Sequence, residues 1–479
     1  MMKRTFLCLL AALLCSGMIS CGAPADDTAA ADTSADTAAE TVETEVKPDL
    51  PDKDYEGFNY RILAAESTNL YIHSAEVTGE VVNDAVYEAN AQVGEQFNIG
   101  FEMIPITANN DPTIIQSYIM AGDDAYDVAQ LHDCTTGSMA LNGWFHNVHE
   151  LPYVDTSAEW WPQFTVDSLT LNGKMYYISN YTTYRALHET RVTFFNQDMV
   201  EDMALENPYD LVKEGSWTID KMAEISNSIY VDTNGDGVQD QEDVMGFVFT
   251  NAPYCWLESF GIEAYKKEGP DSANMTLDLN HETTYTLIDK LHNWMGGTGN
   301  KSVWVDFGGD RNLAMEMFAA GSGLFTFKCI GDQLPFLLDT DMTYGIVPFP
   351  KVDELQEDYV SACTDLLLSI PITASDLERT GIITEAMSYA GYKHILPAYC
   401  EKALKNRYST DEESAEMLDM IFQNRIISFS YLFVNLVPSG MQYQLIAQTV
   451  KNNNVASYYQ SGESKENAVI DKITEFYAD

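Results

Sequence analysis

The sharpest chemical signal in this 479-residue chain is the run Asp232-Thr233-Asn234-Gly235-Asp236-Gly237-Val238-Gln239-Asp240-Gln241-Glu242-Asp243. Side-chain oxygens stand at the first, third, fifth, ninth and twelfth places through Asp232, Asn234, Asp236, Asp240 and Asp243. Val238 offers a backbone carbonyl at the seventh, and Gly237 allows the sharp turn at the sixth, which is the oxygen cage that a hard cation such as Ca²⁺ needs. One departure weakens the cage: Asp243 stands where the EF-hand loop carries Glu, and its shorter arm is less suited to bidentate closure. A polar Asp/Asn/Gly turn without metal is the alternative, and an ion held here would be structural rather than catalytic.

A second set of candidates comes from a rule of open α/β sheets, in which ligands bind beyond the carboxyl ends of the strands. The residues just past strand-like segments are Glu66, then His132 and Asp133, then Tyr254 and Trp256, then Lys328, then Thr364 and Asp365. Tyr184 and Arg185 precede a further strand and could reach the same region. Each has a plainer reading: Trp256 as core, Asp133 and Asp365 as helix caps, His132 as a loop histidine.

Catalytic arrangements are weakly supported. His146 and His149 lie three apart, without the four-residue spacing and intervening Glu of helical metalloproteases. His188-Glu189 belongs to no HExxH string, and neither a GxSxG elbow nor a glycine-rich phosphate loop before a helix occurs. With 73 acidic residues, any two could pass for a glycosidase pair, so that signal discriminates nothing. No catalytic cofactor is expected.

These residues need elements to hold them. Tyr60–Ala64 reads as a first strand. Val82, Val86, Ala89, Val93 and Phe97 recur at helical spacing, and residues 100–106 read as a second strand. A helix over 113–120 leads into the apolar strand 127–131. The alternation returns with the strand 192–195, a helix from Thr218 and the strand 245–249. Strands alternating with helices predict β-α-β units and a largely parallel sheet, hence an α/β protein. The length exceeds the roughly 250–300 residues at which one core stops growing, so two lobes are expected.

The formal charge is −47, from 26 Lys and Arg against 73 Asp and Glu. Such a surface repels phosphate backbones and anionic headgroups, which argues against nucleic acid and against membrane binding through a basic face. Lys3 and Arg4 followed by the apolar stretch 6–18 form an export signal, too short to span a membrane. Ser20-Cys21 after it resembles the lipobox of bacterial lipoproteins, which implies cleavage before Cys21 and a lipid on its sulfur. Residues 21–54, rich in Ala, Thr and Asp, read as a disordered acidic tether. Cys134, Cys255, Cys329, Cys363 and Cys400 remain, odd in number and widely spaced, so neither a disulfide framework nor a zinc site is indicated.

Three strings carry a family resemblance: Val82-Asn83-Asp84-Ala85-Val86-Tyr87, then Trp217-Thr218-Ile219-Asp220-Lys221-Met222 after Asn207-Pro208-Tyr209-Asp210-Leu211, then Tyr344-Gly345-Ile346-Val347-Pro348-Phe349-Pro350-Lys351. Together with the lipobox they resemble the extracellular solute-binding lipoproteins of carbohydrate ABC importers, distant relatives of maltose-binding protein. The resemblance implies a periplasmic-binding-protein type II fold, with two α/β lobes joined by a multi-strand hinge and a cleft between them. Lobe 1 would comprise 55–192 plus 351–396, and lobe 2 would comprise 193–350 plus 397–479, with a third crossing near Leu396–Tyr399. It further implies a carbohydrate ligand, ABC-transporter permease partners, a monomer, and attachment to the outer face of the bacterial cytoplasmic membrane through the Cys21 lipid alone. A neutral sugar needs aromatic faces for its CH patches and polar groups for its hydroxyls, and the strand-end residues hold both. A peptide or sugar-acid cargo, or a surface glycan-degrading enzyme, are the alternatives.

Overall fold

In chain order the described strands of the computed structural model are β1 (Phe58–Ala65), β2 (Ile99–Ile106), β3 (Val128–His132), β4 (Arg191–Asn196), β5 (Tyr230–Val231), β6 (Val244–Thr250), β7 (Tyr265–Lys267), β8 (Met275–Leu277), β9 (Val303–Asp306), β10 (Gly323–Cys329), β11 (Tyr344–Val347), β12 (Ser361–Cys363), β13 (Leu366–Ser369) and β14 (Arg425–Ile427). The structure describes residues 46–297, 299–337, 340–405, 412–437 and 440–478. The export signal and Cys21 lie outside the described residues.

The first sheet has the order β13-β3-β1-β2, and the second has β11-β4-β10-β6-β5 with β9 also on β6. β1 is parallel to β2 and β3, and β6 is parallel to β10 and β9. β13, β4, β11 and β5 run antiparallel to their neighbours. The sheets are therefore mixed rather than largely parallel. The chain enters β4 and β13 after long excursions instead of by a single helical crossover, so nothing imposes the parallel direction there, while β10 and β11, joined by the helix Ile330–Leu337, flank β4 and both run against it. β12 pairs β14, and β7 pairs β8, as two small separate ribbons.

Local chemistry accounts for the helices that carry this frame. Helix α1 (Val81–Phe97) starts where the Glu80 carboxylate accepts the Asn83 amide and stops at Asn98, whose φ of 49° is left-handed. It buries Val82, Ala85, Val86, Ala89, Val93 and Phe97, the stripe its spacing predicts. Helix α2 (Pro112–Ala121) opens with the Asp111 cap and Pro112 and closes at Gly122. Thr218 caps the helix Ile219–Asn227 through the Lys221 amide.

The main apolar cluster runs from Tyr60, Ile62 and Leu63 on β1 to Phe247 and Phe249 on β6 and Phe325 and Phe327 on β10. A second cluster joins Val192 and Phe194 on β4 and Val248 on β6 to Met315 and Phe318. The second sheet is covered on both faces, as near-continuous apolar strands require.

Residues Lys47–Asp479 form one compact unit. The stretch 48–54, expected to belong to the tether, lies on that unit instead. Leu50 packs against the core, Lys53 pairs with Glu378 at 3.0 Å, and Asp54 accepts from the Glu56 amide and from Asn98. Residues 396–399, the expected third crossing, fall inside the long helix Leu377–Lys405, which contains Pro397. Among the described residues no helix is long and apolar enough to cross a membrane.

Candidate functional site

β3 ends at His132 and helix α3 (Asp133–Ala140) begins at once, so three chemically active side chains, His132, Asp133 and Cys134, sit at one corner. Asp133 is 1% exposed and fully engaged: its Oδ1 lies 2.7 Å from His132 Nδ1 and accepts the Cys134 amide at 2.8 Å, and its Oδ2 accepts the Asp365 amide at 2.9 Å. The Asp133 amide in turn donates to the Asp365 carbonyl at 3.2 Å. This reciprocal clasp follows from register, since β13 runs antiparallel to β3 with Leu366 opposite His132. Burial works against charge on His132, but the adjacent Asp133 carboxylate outweighs it and pushes the imidazole up to about 11. Burial raises the Asp365 carboxyl to about 7, against the bonds donated by Ser179 Oγ and the Leu366 amide. Asp133 and Asp365 cap and clasp the same turn, so the two candidates are brought together.

Behind this corner lies an ion network. Glu189 pairs with Arg185 at 2.6 Å and accepts from Thr364 Oγ1 at 3.4 Å, and Arg191 stands 3.8 Å away. Arg185 also donates to Tyr71 Oη at 2.7 Å with its guanidinium 4.8 Å from the Tyr71 ring centre, and Tyr184 packs edge-on to that ring at 4.9 Å. Tyr184, Arg185 and Thr364 are thus tied to one another through Tyr71 and Glu189. Glu66 is exposed past the end of β1.

The end of β6 contributes from the second sheet. Tyr254 is half-buried, Cys255 adopts a left-handed φ of 58°, and Trp256 is 2% exposed. Trp256 is ringed by Phe249 at 4.5 Å, Phe327 at 5.0 Å, Phe307 at 5.8 Å and Phe349 at 6.2 Å, so its surface is taken up by the core. Lys328 is buried as well, donating to the carbonyls of Arg311 at 2.6 Å and Thr250 at 3.3 Å. Tyr254 instead meets Tyr443 at 4.7 Å, and Tyr443 stacks on Tyr431 at 6.5 Å. Asp133 and Cys134 both bear electrostatically on Tyr431, and Cys134 also bears on Tyr443, so the tyrosines lie beside the β3 corner.

Below them Glu258 is buried. Ser428 donates to its Oε1 at 2.6 Å, while Oε2 lacks a protein partner, and burial raises the carboxyl to about 7. The two sides can close this tightly because of Gly137 on α3. A Cβ there would fall 2.6 Å from the Leu432 carbonyl oxygen and 2.8 Å from Phe433 Cε1 of the short helix Ser430–Leu436.

Sequence reading missed Tyr431, Tyr443 and Glu258 and passed over Cys134 as a ligand group. Tyr431 and Tyr443 follow no strand of either main sheet, and nothing local distinguishes Glu258 among so many carboxylates. Trp160 and Trp161 are buried and donate to Glu385 at 2.6 and 2.8 Å. His149 lies between Thr156 and Thr170 at 3.1 and 3.0 Å.

The loop 232–243 adopts a self-bonded turn between β5 and β6. Gly235 and Gly237 take φ of 75° and 76°, and their amides donate to Asp232 at 2.7 and 2.8 Å. Asn234 Nδ2 reaches Asp240 at 3.1 Å, Asp236 accepts the Val238 amide at 2.7 Å, and Lys301 donates to the Gly237 carbonyl. Asp243 is buried and clasps the loop: it accepts from Tyr230 Oη at 2.9 Å and from the amides of Thr233 and Asp240.

No sequence-family model matches the chain, and no curated protein matches it. Among solved structures, UspC of Mycobacterium tuberculosis is similar over 86% of this chain and 100% of its own, with a TM-score of 0.58 at 12% identity. The fold is that of the type II periplasmic binding proteins. Two further structures with this type II fold agree. The galacto-N-biose/lacto-N-biose I-binding protein of an ABC transporter from Bifidobacterium longum, in complex with lacto-N-biose, covers 88% of this chain and 98% of its own at TM-score 0.53 and 11% identity. An ABC substrate-binding protein from Listeria monocytogenes, in complex with cycloalternan, covers 86% and 99% at TM-score 0.52 and 13% identity. The seam described here lies where the carboxyl ends of β3 and β6 come together.

Proposed function

We propose that this chain is the lipid-anchored substrate-binding component of an ABC importer, which captures a sugar or oligosaccharide by hinge closure and delivers it to the membrane permease. The observation that carries the reading is the seam itself: half-buried Tyr254, Tyr443 and Tyr431 stand beside the His132–Asp133 pair. Phenol rings suit the CH faces of a pyranose, and the partly exposed His132 imidazole, held by the buried Asp133 carboxylate, suits its hydroxyls. Similar structures in complex with lacto-N-biose and cycloalternan support a carbohydrate cargo. Ligand touching groups from both lobes favours the closed form by its differential affinity, and the permease reads that form. The role is capture, not catalysis, and the chain acts as a monomer on the outer face of the cytoplasmic membrane, held there by Cys21.

The test is thermal unfolding of the unit Lys47–Asp479 against neutral oligosaccharides, sugar acids, peptides and glycerophosphodiesters. A ligand bound only by the native state raises the midpoint by mass action. A rise with one neutral sugar recovered unchanged is expected. A rise only with acids, phosphodiesters or peptides would remove the neutral-sugar reading, and turnover of the sugar would replace the receptor with an enzyme.

The loop 232–243 fits a structural Ca²⁺, with Asp232, Asn234, Asp236, Asp240 and the Val238 carbonyl as donors and Asp243 reduced to a clasp. At 10 mM Ca²⁺ such a weak site would add roughly 1–3 kcal/mol of stability, which Asp232→Ala would abolish.

A further inference from the structure

We propose that His132, Asp133 and Cys134 form a binding site for a single borderline-soft divalent metal ion of the Zn²⁺ type, at the corner where β3 enters α3. One ligand atom from each of the three side chains lies within 4.8 Å of the other two. Among the described residues this is the one group of three such side chains gathered so closely. The donor set is nitrogen, oxygen and sulfur, which selects zinc-like ions over the hard Ca²⁺ and Mg²⁺ that an all-oxygen loop prefers.

The corner is rigid where it must be and loose where it can be. Thr135 and Thr136 hydroxyls both donate to the His132 carbonyl, at 3.0 and 2.7 Å, and the Asp365 amide pins the Asp133 carboxylate. Cys134 is partly exposed, so its side chain can turn, whereas His132 Nδ1 is paired with Asp133 at 2.7 Å, and an incoming ion displaces the proton held there. Tetrahedral zinc bonds of about 2.0–2.3 Å place ligand atoms about 3.3–3.8 Å apart, so closing onto an ion takes a movement of roughly 1 Å. Three protein ligands leave one tetrahedral position for water or for a bound solute. The net charge of −47 raises the local cation concentration and favours occupancy.

The site does not depend on the sugar reading, and it is tested without any cargo. Co²⁺ is titrated into the reduced full chain as an optical probe for Zn²⁺. The expected result is a thiolate-to-cobalt charge-transfer absorption that saturates at one equivalent and is displaced by Zn²⁺. Cys134→Ser removes that absorption, and His132→Gln weakens Co²⁺ binding by about tenfold or more. The loop 232–243 can bind Co²⁺ only through oxygen and so gives no thiolate band. The buried Cys255 and Cys363 thiols are pushed up by burial, Cys363 to about 12, and contribute none either. Near-ultraviolet circular dichroism confirms that each variant keeps its fold. Absence of the band in the unaltered chain, or its survival in Cys134→Ser, overturns the proposal.

Discussion

Two aromatic clusters begin within two residues of each other at the end of β6 and meet opposite fates. Trp256 is enclosed by Phe249, Phe307, Phe327 and Phe349, whereas Tyr254 turns to Tyr443 and Tyr431 and stays partly open to solvent. Between them stands Cys255 with a left-handed backbone, which swings consecutive side chains onto different surroundings. The contrast shows that residue type does not decide which ring meets a ligand. A large apolar ring is most useful to folding when closed in, while a phenol tolerates the wet edge because its hydroxyl keeps a partner there.

The sharpest way to break this contrast is to truncate one member of each cluster. Trp256→Ala should cost about 3–5 kcal/mol in denaturant unfolding, because the surrounding rings cannot collapse into the space. A loss under about 1 kcal/mol would mean that the nest is not core.

Next in size is the other enclosed pair, Trp160 and Trp161. Glu385→Leu leaves two buried indole N–H groups without their acceptor and should cost about 2–4 kcal/mol, measured in the same way. Glu385→Gln keeps one acceptor oxygen and should recover only part of that loss, since its amide nitrogen cannot accept the second indole N–H.

A smaller effect follows from the buried carboxyls. Asp365, Glu258 and Glu385 are each raised by burial to about 7, above their unfolded values near 4. The native state therefore keeps these protons longer than the unfolded chain does. Their contribution is fully present below about pH 4 and is lost as pH climbs through about 7. The melting temperature should fall between pH 5 and pH 8, and Glu258→Gln should flatten part of that slope. A melting temperature that rises over this interval would contradict the assignment.

The smallest effect on stability, and the one that sharpens the comparison most, belongs to the open cluster. Tyr443→Ala should change unfolding by less than about 1 kcal/mol, since a partly exposed ring gives up little buried surface. The same change should weaken sugar binding by about tenfold, read by calorimetry, if each stacked ring contributes about 1 kcal/mol or more to the bound state. Unchanged binding would move the ligand away from the tyrosines.

Much of the frame was legible in the residues. The stripe of Val82, Val86, Ala89, Val93 and Phe97 yields α1, the apolar run after Asp127 yields β3, and its abrupt end at His132 marks the corner that the structure builds. These signals are local: a repeat of 3.6 or 2, a cap, or a turn residue acts within a few positions. The turn 232–243 belongs to the same class, with its glycines at positive φ where the motif calls for them.

What only the tertiary structure decided lies across long stretches of chain. The direction of β4, β11 and β13 depends on where each returns to its sheet, not on its own residues. Tyr431 and Tyr443 reach the corner built by residues 132–134 from about three hundred positions away, so no spacing rule connects them. Glu258 and Trp256 become buried, and Tyr254 stays half open, because of which distant rings and backbones close over them. Periodicity and turn chemistry are properties of a segment, whereas burial, and with it the charge state of a carboxyl and the reach of an aromatic face, is a property of the whole fold.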